Sequence, residues 1–229
     1  MGRSMRAPLT KQMSAAQGWS GWLESPPARS PDFRALLGAQ AWRRLPGAVR
    51  KRFAHDRAAA KVVIYRGRML VQASWLGRCV AQVCRLIGTP VAPFVHDDVP
   101  VTVRVFDKPN DGGTVWERRY DFPGRAPVIV SSVKQVEHDG TLVEALGAGL
   151  RMRLNVFERD GALHFLSTGY FFQFGRLRIA LPSWLPPGAT HVVHEDRGGG
   201  RFLFTLHTAE RGNGSGSSDA MYWQSGLFM

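Results

Sequence analysis

The side chains best suited to chemistry cluster at His191, His194, Glu195 and Asp196. Residues three apart in a strand point to opposite faces, so His191 and His194 cannot readily share a metal ion. His194 and Asp196 share a face and could form an acid–base pair or a weak metal site, with His207 of the next strand as a third member. A polar strand end beside a solvated turn accounts for the same residues. His96-Asp97-Asp98, just ahead of an alternating run, reads as a turn and cap. Cys79 and Cys84 are five positions apart in a helical stretch, about 140° around the axis, which suits neither a shared metal nor a disulfide. They read as two buried small hydrophobes in a reducing setting. Gly214-Ser215-Gly216 is a linker pattern, not a nucleophile elbow. Gly198-Gly199-Gly200 lies between two strands, a hairpin context and not a phosphate loop. No catalytic residue, metal ligand or cofactor-binding residue is assigned, and the balance is against an enzyme.

A second set of residues points to binding. Arg118 alternates with Trp116 and Tyr120, and Glu144 interrupts the apolar run Leu142-Val143-Glu144-Ala145-Leu146. Charges on an inward face are costly unless paired, so an inward Arg118–Glu144 pair could anchor the polar head of a ligand. A salt bridge tying neighbouring strands is the alternative. In Gly169–Gly175, Tyr170, Phe172 and Phe174 occupy one face and Phe171 and Gln173 the other. Such a strand is either buried on both sides or lines a greasy cavity. The ligand-binding candidates are Arg66, Trp116, Arg118, Tyr120, Glu144, Tyr170, Phe172 and His194.

These residues need a scaffold, and the hydrophobic period supplies one. Residues 32–57 read as helical with a break at Leu45-Pro46, and Trp42, Leu45, Val49 and Phe53 form a core-facing stripe. Residues 61–72 read as a strand bent near Gly67. Residues 74–87 read as a helix with Leu76, Cys79, Val80, Val83 and Ile87 on the core face, Ser74 as N-cap and Gly88 as the stop. From Val99 the period changes to two. Val99, Val101, Val103 and Val105 share a face, and eight further runs follow between turns such as Asp139-Gly140 and Asp160-Gly161. The expected fold is mainly β, α+β by helix content. It is an antiparallel meander of about 8–10 strands, strongly curved or closed into a barrel, with two or three N-terminal helices packed on it.

The expected organisation is a basic, disordered leader over 1–31, a single β-rich domain over 32–208, a flexible loop over 209–220 and a possible last strand over 221–229. Trp19 and Trp22 could dock on the body or serve as an interaction motif. The chain has 229 residues and a net charge of +12. Residues 1–60 hold eleven Lys/Arg and three Asp/Glu, and residues 61–229 hold nineteen and fifteen, so the excess belongs mainly to the N-terminal quarter. Twenty-five of the thirty basic residues are arginine, a preference that suits phosphate or carboxylate recognition but follows equally from genomic base composition. Arg43, Arg44, Arg50, Lys51 and Arg52 form a basic helical face that could bind nucleic acid or an anionic membrane; a solvated helix face is the simpler reading. No run of apolar residues is long enough for a transmembrane helix, and the leader lacks the apolar core of a secretory signal. A cytoplasmic location is expected.

Several scattered pieces together resemble a family of bacterial domains of unknown function, catalogued as 4166. They are Leu45-Pro46 with Val49-Arg50 and Phe53, Arg66-Gly67, Trp116-x-Arg118-x-Tyr120 and Gly140-x-Leu142-Val143-Glu144. Gly169-Tyr170, Leu181-Pro182-x-Trp184-Leu185, and His194-Glu195-Asp196 with Gly200-Arg201-Phe202 complete the set. The resemblance runs from about residue 35 to about residue 208 and implies no activity. Members of that family often follow a dehydrogenase-like nucleotide-binding domain, which implies that this chain could be the accessory domain of a separately encoded NAD(P)-dependent oxidoreductase. The leading expectation is a binding module that holds an apolar or lipid-like molecule inside the curved sheet or barrel.

Overall fold

A computed structural model of the chain describes residues 28–54, 62–85, 91–108, 112–183, 185, 188–209 and 220–229. The expected leader with Trp19 and Trp22 up to residue 27, the helix ends at 55–57 and 86–88, Trp184, and most of the loop expected at 209–220 lie outside the described residues.

Among the described residues eleven strands form one antiparallel sheet. β1 is Val63–Ala73, β2 His96–Asp107, β3 Thr114–Tyr120 and β4 Val128–Val136; β5 is Leu142–Gly147, β6 Leu150–Arg159 and β7 Ala162–Phe174. β8 is Leu177–Ala180, β9 Thr190–Asp196, β10 Phe202–Ala209 and β11 Ala220–Phe228. The order β6-β5-β4-β3-β2-β1-β11-β10-β9-β7 closes through a β6–β7 pairing into a ten-stranded barrel, with β8 appended to β7 outside the ring. Closure leaves the ring without a free edge. Tight turns make the meander possible. At Asp160-Gly161 both turn residues have positive φ, 53° and 74°, the backbone of a two-residue hairpin whose twist matches its strands.

Alternation decides which side chains enter the barrel. Val99, Val101 and Val103 of β2, Trp116 and Tyr120 of β3 and Leu142 of β5 are buried, as are Met152 and Leu154 of β6 and Phe202 and Phe204 of β10. On β1 the inward residues include Met69 and Val71. The strand does not turn at Gly67 but continues through it, paired with Val101 and Phe228. A Cβ there would lie 2.2 Å from the Leu227 carbonyl oxygen and 2.6 Å from the Phe228 ring, so the glycine makes room for Phe228. His96-Asp97-Asp98, expected in a turn, begins β2; the ladder takes up the extra length where its register shifts between Met69 and Val71.

Among the described residues three helices accompany the barrel. α1 (Phe33–Arg44) starts at Asp32, whose side chain accepts hydrogen bonds from the amides of Arg34 and Ala35. α2 (Gly47–Phe53) follows the Leu45-Pro46 break. Trp42, Leu45, Val49 and Phe53 are buried and plug one end of the barrel. The Phe53 ring lies 5.8 Å from Trp116, 5.9 Å from Phe165 and 4.9 Å from His194, a cluster of aromatic contacts in the range that stabilises cores. The basic face of this segment is partly consumed by the fold: Arg44 pairs with Glu158, and the Arg52 guanidinium lies 3.5 Å from the Phe202 ring centroid.

α3 (Trp75–Cys84), capped by Ser74, covers the other end. Its buried face corrects the sequence expectation. Gly77 and Ala81 are buried, whereas Trp75, Leu76 and Val83 are exposed and Cys79 is an exposed free thiol. The reason is steric. A Cβ on Gly77 would stand 2.0 Å from the Met221 carbonyl oxygen, so the small-residue face lies against β11; of the expected stripe Val80 still packs on the core, while Leu76, Cys79 and Val83 are left exposed.

Candidate ligand-binding cavity

The core does not fill the barrel. Between the aromatic plug and α3 lies a cavity of about 400 Å³, within the range of small-molecule sites. Its walls are largely aliphatic and aromatic, with Leu146, Leu150, Met152, Phe172, Leu206 and Val80 among them. Leu181 and Leu185, between β8 and β9, and Val83 and Cys84 of α3 also line it. Val83 and Leu185 are at the same time more than half exposed, so the mouth lies between α3 and the β8–β9 connection. The sheet parts there for a visible reason: β7 pairs with β9 only over Leu163–Leu166, and its distal half pairs with β8.

A polar cluster is built into one wall by three neighbouring strands. Lys134 of β4 stands directly opposite Glu144 of β5 in the ladder, and Ser132 stands opposite Trp116 of β3. The Lys134 ammonium is 2.8 Å from Glu144 Oε1, and Ser132 Oγ donates to that same oxygen at 2.6 Å. Arg118 Nη2 donates to Ser132 Oγ at 3.2 Å and is 3.9 Å from Glu144 Oε1. All three charged side chains are nearly inaccessible to solvent. Burial alone would raise the Glu144 pKa, but the Lys134 and Arg118 charges and the Lys134 and Ser132 hydrogen bonds outweigh it and hold the carboxyl below its ordinary range. Burial lowers the Lys134 pKa, with Arg118 adding to that and Glu144 opposing it. The cluster therefore sets two cations against one carboxylate.

His194 completes the floor. It is buried among Phe53, Phe165, Phe202, Phe204 and Trp116. Desolvation, reinforced by Arg52, Lys134 and Arg118, drives its pKa well below the ordinary histidine value, so the ring is neutral. His194 Nδ1 and Trp116 Nε1 are buried without a hydrogen-bond partner among the described residues. Trp116, Arg118 and His194 also border a second void of about 20 Å³ next to the main cavity.

The sequence candidates distribute as follows. Trp116, Arg118, Glu144, Tyr170, Phe172 and His194 all line the cavity. Tyr170 and Phe172 reach it because the register shifts where Arg153 and Leu154 of β6 face β7, so Ser167, Tyr170 and Phe172 can all face the interior. The Tyr170 hydroxyl is 2.9 Å from Thr190 Oγ1. Tyr120 is buried but lies outside the cavity lining, where its hydroxyl donates to Gln224 and its ring stacks on Phe122. Arg66 does not belong to the set: it is exposed on the outer surface, because its neighbours Tyr65 and Gly67 take the inward positions of β1. His207 cannot join His194 either. It pairs with His191 in the ladder on the outer face, where His191 Nε2 is 3.0 Å from His164 Nδ1 and the His164 ring stacks on Phe157. Among the described residues no group of three or more His, Cys, Asp or Glu side chains is placed to hold a metal ion.

Ser132 and Lys134 were not singled out from the sequence. Their signal was present, since they occupy the same alternating positions as Val128, Val130 and Val136. No helix among the described residues is long and apolar enough to cross a membrane. Comparison of the chain with curated proteins and with solved structures returned no match. A family profile matches residues 45–215, a span that takes in the plug from Leu45 onward, the polar cluster and every strand of the barrel except β11. The chain belongs to the family described as domain of unknown function DUF4166.

Proposed function

We infer that this chain is a non-enzymatic binding module that holds an apolar, lipid-like molecule inside its barrel. One observation carries this function: an apolar cavity of about 400 Å³ whose floor contains the unpaired Trp116 Nε1 and His194 Nδ1. Interiors are normally packed to crystal-like density, and each buried polar atom without a partner costs about 1–3 kcal/mol. A resident molecule that fills the void and engages those atoms would offset both costs. A charged cluster set in a mainly apolar wall is the pattern by which such cavities orient a ligand.

Cys84 provides the test, since it lines the cavity while Cys79 is exposed. In a Cys79→Ser protein, alkylation of Cys84 by iodoacetamide at mildly alkaline pH reports on occupancy. A ten-carbon alcohol or acid present at about ten times its dissociation constant should slow the reaction about tenfold. An alkylation rate that no apolar probe alters would sink this function.

A further inference from the structure

We propose that the cavity's ligand is a monoanionic amphiphile whose carboxylate head sits against Arg118 and Lys134 and whose apolar body runs toward α3. The proposal rests on the binding function inferred above and adds the charge and shape of what is bound.

The charges of the polar cluster do not balance. Arg118 and Lys134 face a single carboxylate, Glu144, in a water-poor wall, and uncompensated buried charge is costly. The imbalance sits on Arg118. Glu144 Oε1 is engaged by Lys134 and Ser132, while Arg118 stands 3.9 Å from it and is hydrogen-bonded to Ser132 Oγ. Of the five N–H donors of a guanidinium, only that one is engaged among the described residues. A planar carboxylate matches the guanidinium fork and would bring the cluster to neutrality. A phosphomonoester carries up to two negative charges near neutral pH and would overshoot it. An ammonium head would add a third cation.

The surroundings agree with an anion. Trp116 Nε1 is an unpaired N–H donor on the same floor, and the neutral His194 can present an N–H at Nδ1. Beyond this polar patch the wall is mainly apolar up to the mouth at Leu181 and Leu185, and the hydroxyls of Tyr170, Thr190 and Thr208 that it includes are hydrogen-bonded to one another. At roughly 30 Å³ per water-sized group, a cavity of 400 Å³ holds about a dozen or more non-hydrogen atoms. Decanoate is a fitting probe.

Titration calorimetry of the full chain with decanoate, decanol, decylamine and decyl phosphate separates the possibilities. Decanoate should bind at least about tenfold more tightly than decanol, equivalent to about 1.4 kcal/mol, with decylamine weakest and decyl phosphate weaker than decanoate. Arg118→Met leaves the Lys134–Glu144 pair intact. It should bring the decanoate-to-decanol ratio close to unity with little change for decanol, and Lys134→Met should lower the ratio as well. If either variant fails to fold, the ratio in the unaltered chain still decides. Decanol binding as tightly as decanoate, or a ratio untouched by Arg118→Met, would overturn the anionic head while leaving the cavity function standing. Preference for decylamine or decyl phosphate would also overturn it. Binding of none of the four would remove the cavity function itself.

Discussion

Among the described residues Glu144 is the one carboxylate paired with both Lys134 and Arg118, so its removal is the sharpest perturbation available. Glu144→Gln keeps the volume of the side chain, and the effect is electrostatic and not that of a cavity. It strands Lys134 and Arg118 in a wall where their side chains are 8% and 11% exposed. Removing one partner of a buried pair costs about 3–5 kcal/mol. An independent ceiling comes from Lys134 itself, which can escape by losing its proton. At pH 7 that costs about 1.4 kcal/mol for each of the roughly three and a half pH units below the ordinary lysine pKa, or about 5 kcal/mol. For a chain of this length 1 kcal/mol corresponds to about 2–4 °C in Tm, so the variant should melt roughly 6–20 °C lower.

The same ceiling gives the pH dependence its sign. In Glu144→Gln the folded state holds the Lys134 proton less tightly than the unfolded state does, so the unfolded state carries more protons across that range. Stability then rises with pH, and the deficit of the variant should shrink between pH 7 and pH 9. Arg118→Met and Lys134→Met each leave one cation against Glu144 and should cost less than Glu144→Gln. Thermal and urea unfolding of the three variants measures the order. A Glu144→Gln protein that melts within a few degrees of the unaltered chain, or an Arg118→Met protein that is the least stable of the three, would refute this account of the cluster.

Three further outcomes are expected. Burial holds His194 neutral in the folded state, while in the unfolded chain it takes up a proton as pH falls below about 6.5. The unaltered protein should therefore lose up to about 1.4 kcal/mol per pH unit on this account, with the lowered pKa of His191 adding its own share; His194→Leu should flatten the slope of stability between pH 6.5 and 5, and an unchanged slope would count against a buried neutral ring. Gly77→Val places a side chain where a Cβ is already 2.0 Å from the Met221 carbonyl oxygen. Overpacking of this kind costs about 1–3 kcal/mol or more, and hydrogen exchange over residues 75–84 should accelerate well beyond any change in β3 or β4; equal change everywhere would show that α3 is not an independently seated cover. Ala148 sits at φ 43° in the β5–β6 turn, ahead of Gly149 at φ 80°. Ala148→Asn supplies the turn pair that tolerates this backbone and should stabilise by about 1 kcal/mol, or about 2–4 °C; a lower Tm would mean that the turn is not the source of the strain.

Much of the barrel can be read from alternation because each strand has one wet and one dry face. The valines of β2 and the alternating leucines and arginines of β6 make the dry face unambiguous. Where both faces are apolar, alternation loses its power. In β1, Val63, Ile64, Met69 and Leu70 supply apolar groups to both sides. The inward set is fixed by Phe228 lying over Gly67, a contact between strands far apart in the chain, and that contact puts Arg66 outside. α3 shows a different failure. Its hydrophobic stripe was legible, but the approach distance to β11 selects for size, so Gly77 and Ala81 lie against the barrel, Leu76 and Cys79 are exposed and Val83 reaches only the cavity mouth.

The polar cluster was half legible for a related reason. Arg118 and Glu144 stood out because each interrupts an apolar series on its own strand. Lys134 interrupts one too, following Val128, Val130 and Ser132 and preceding Val136, yet a lysine near a strand end reads as a surface residue when the strand is taken alone. The three interruptions acquire meaning only across strands. β3, β4 and β5 are consecutive and joined by short turns, so their ladders are constrained to bring Trp116 beside Ser132 and Lys134 beside Glu144. Polar residues on the dry faces of three adjacent hairpin strands must meet inside the barrel. The second cation, on Arg118, leaves this meeting point one carboxylate short, and the proposed anionic ligand rests on that imbalance.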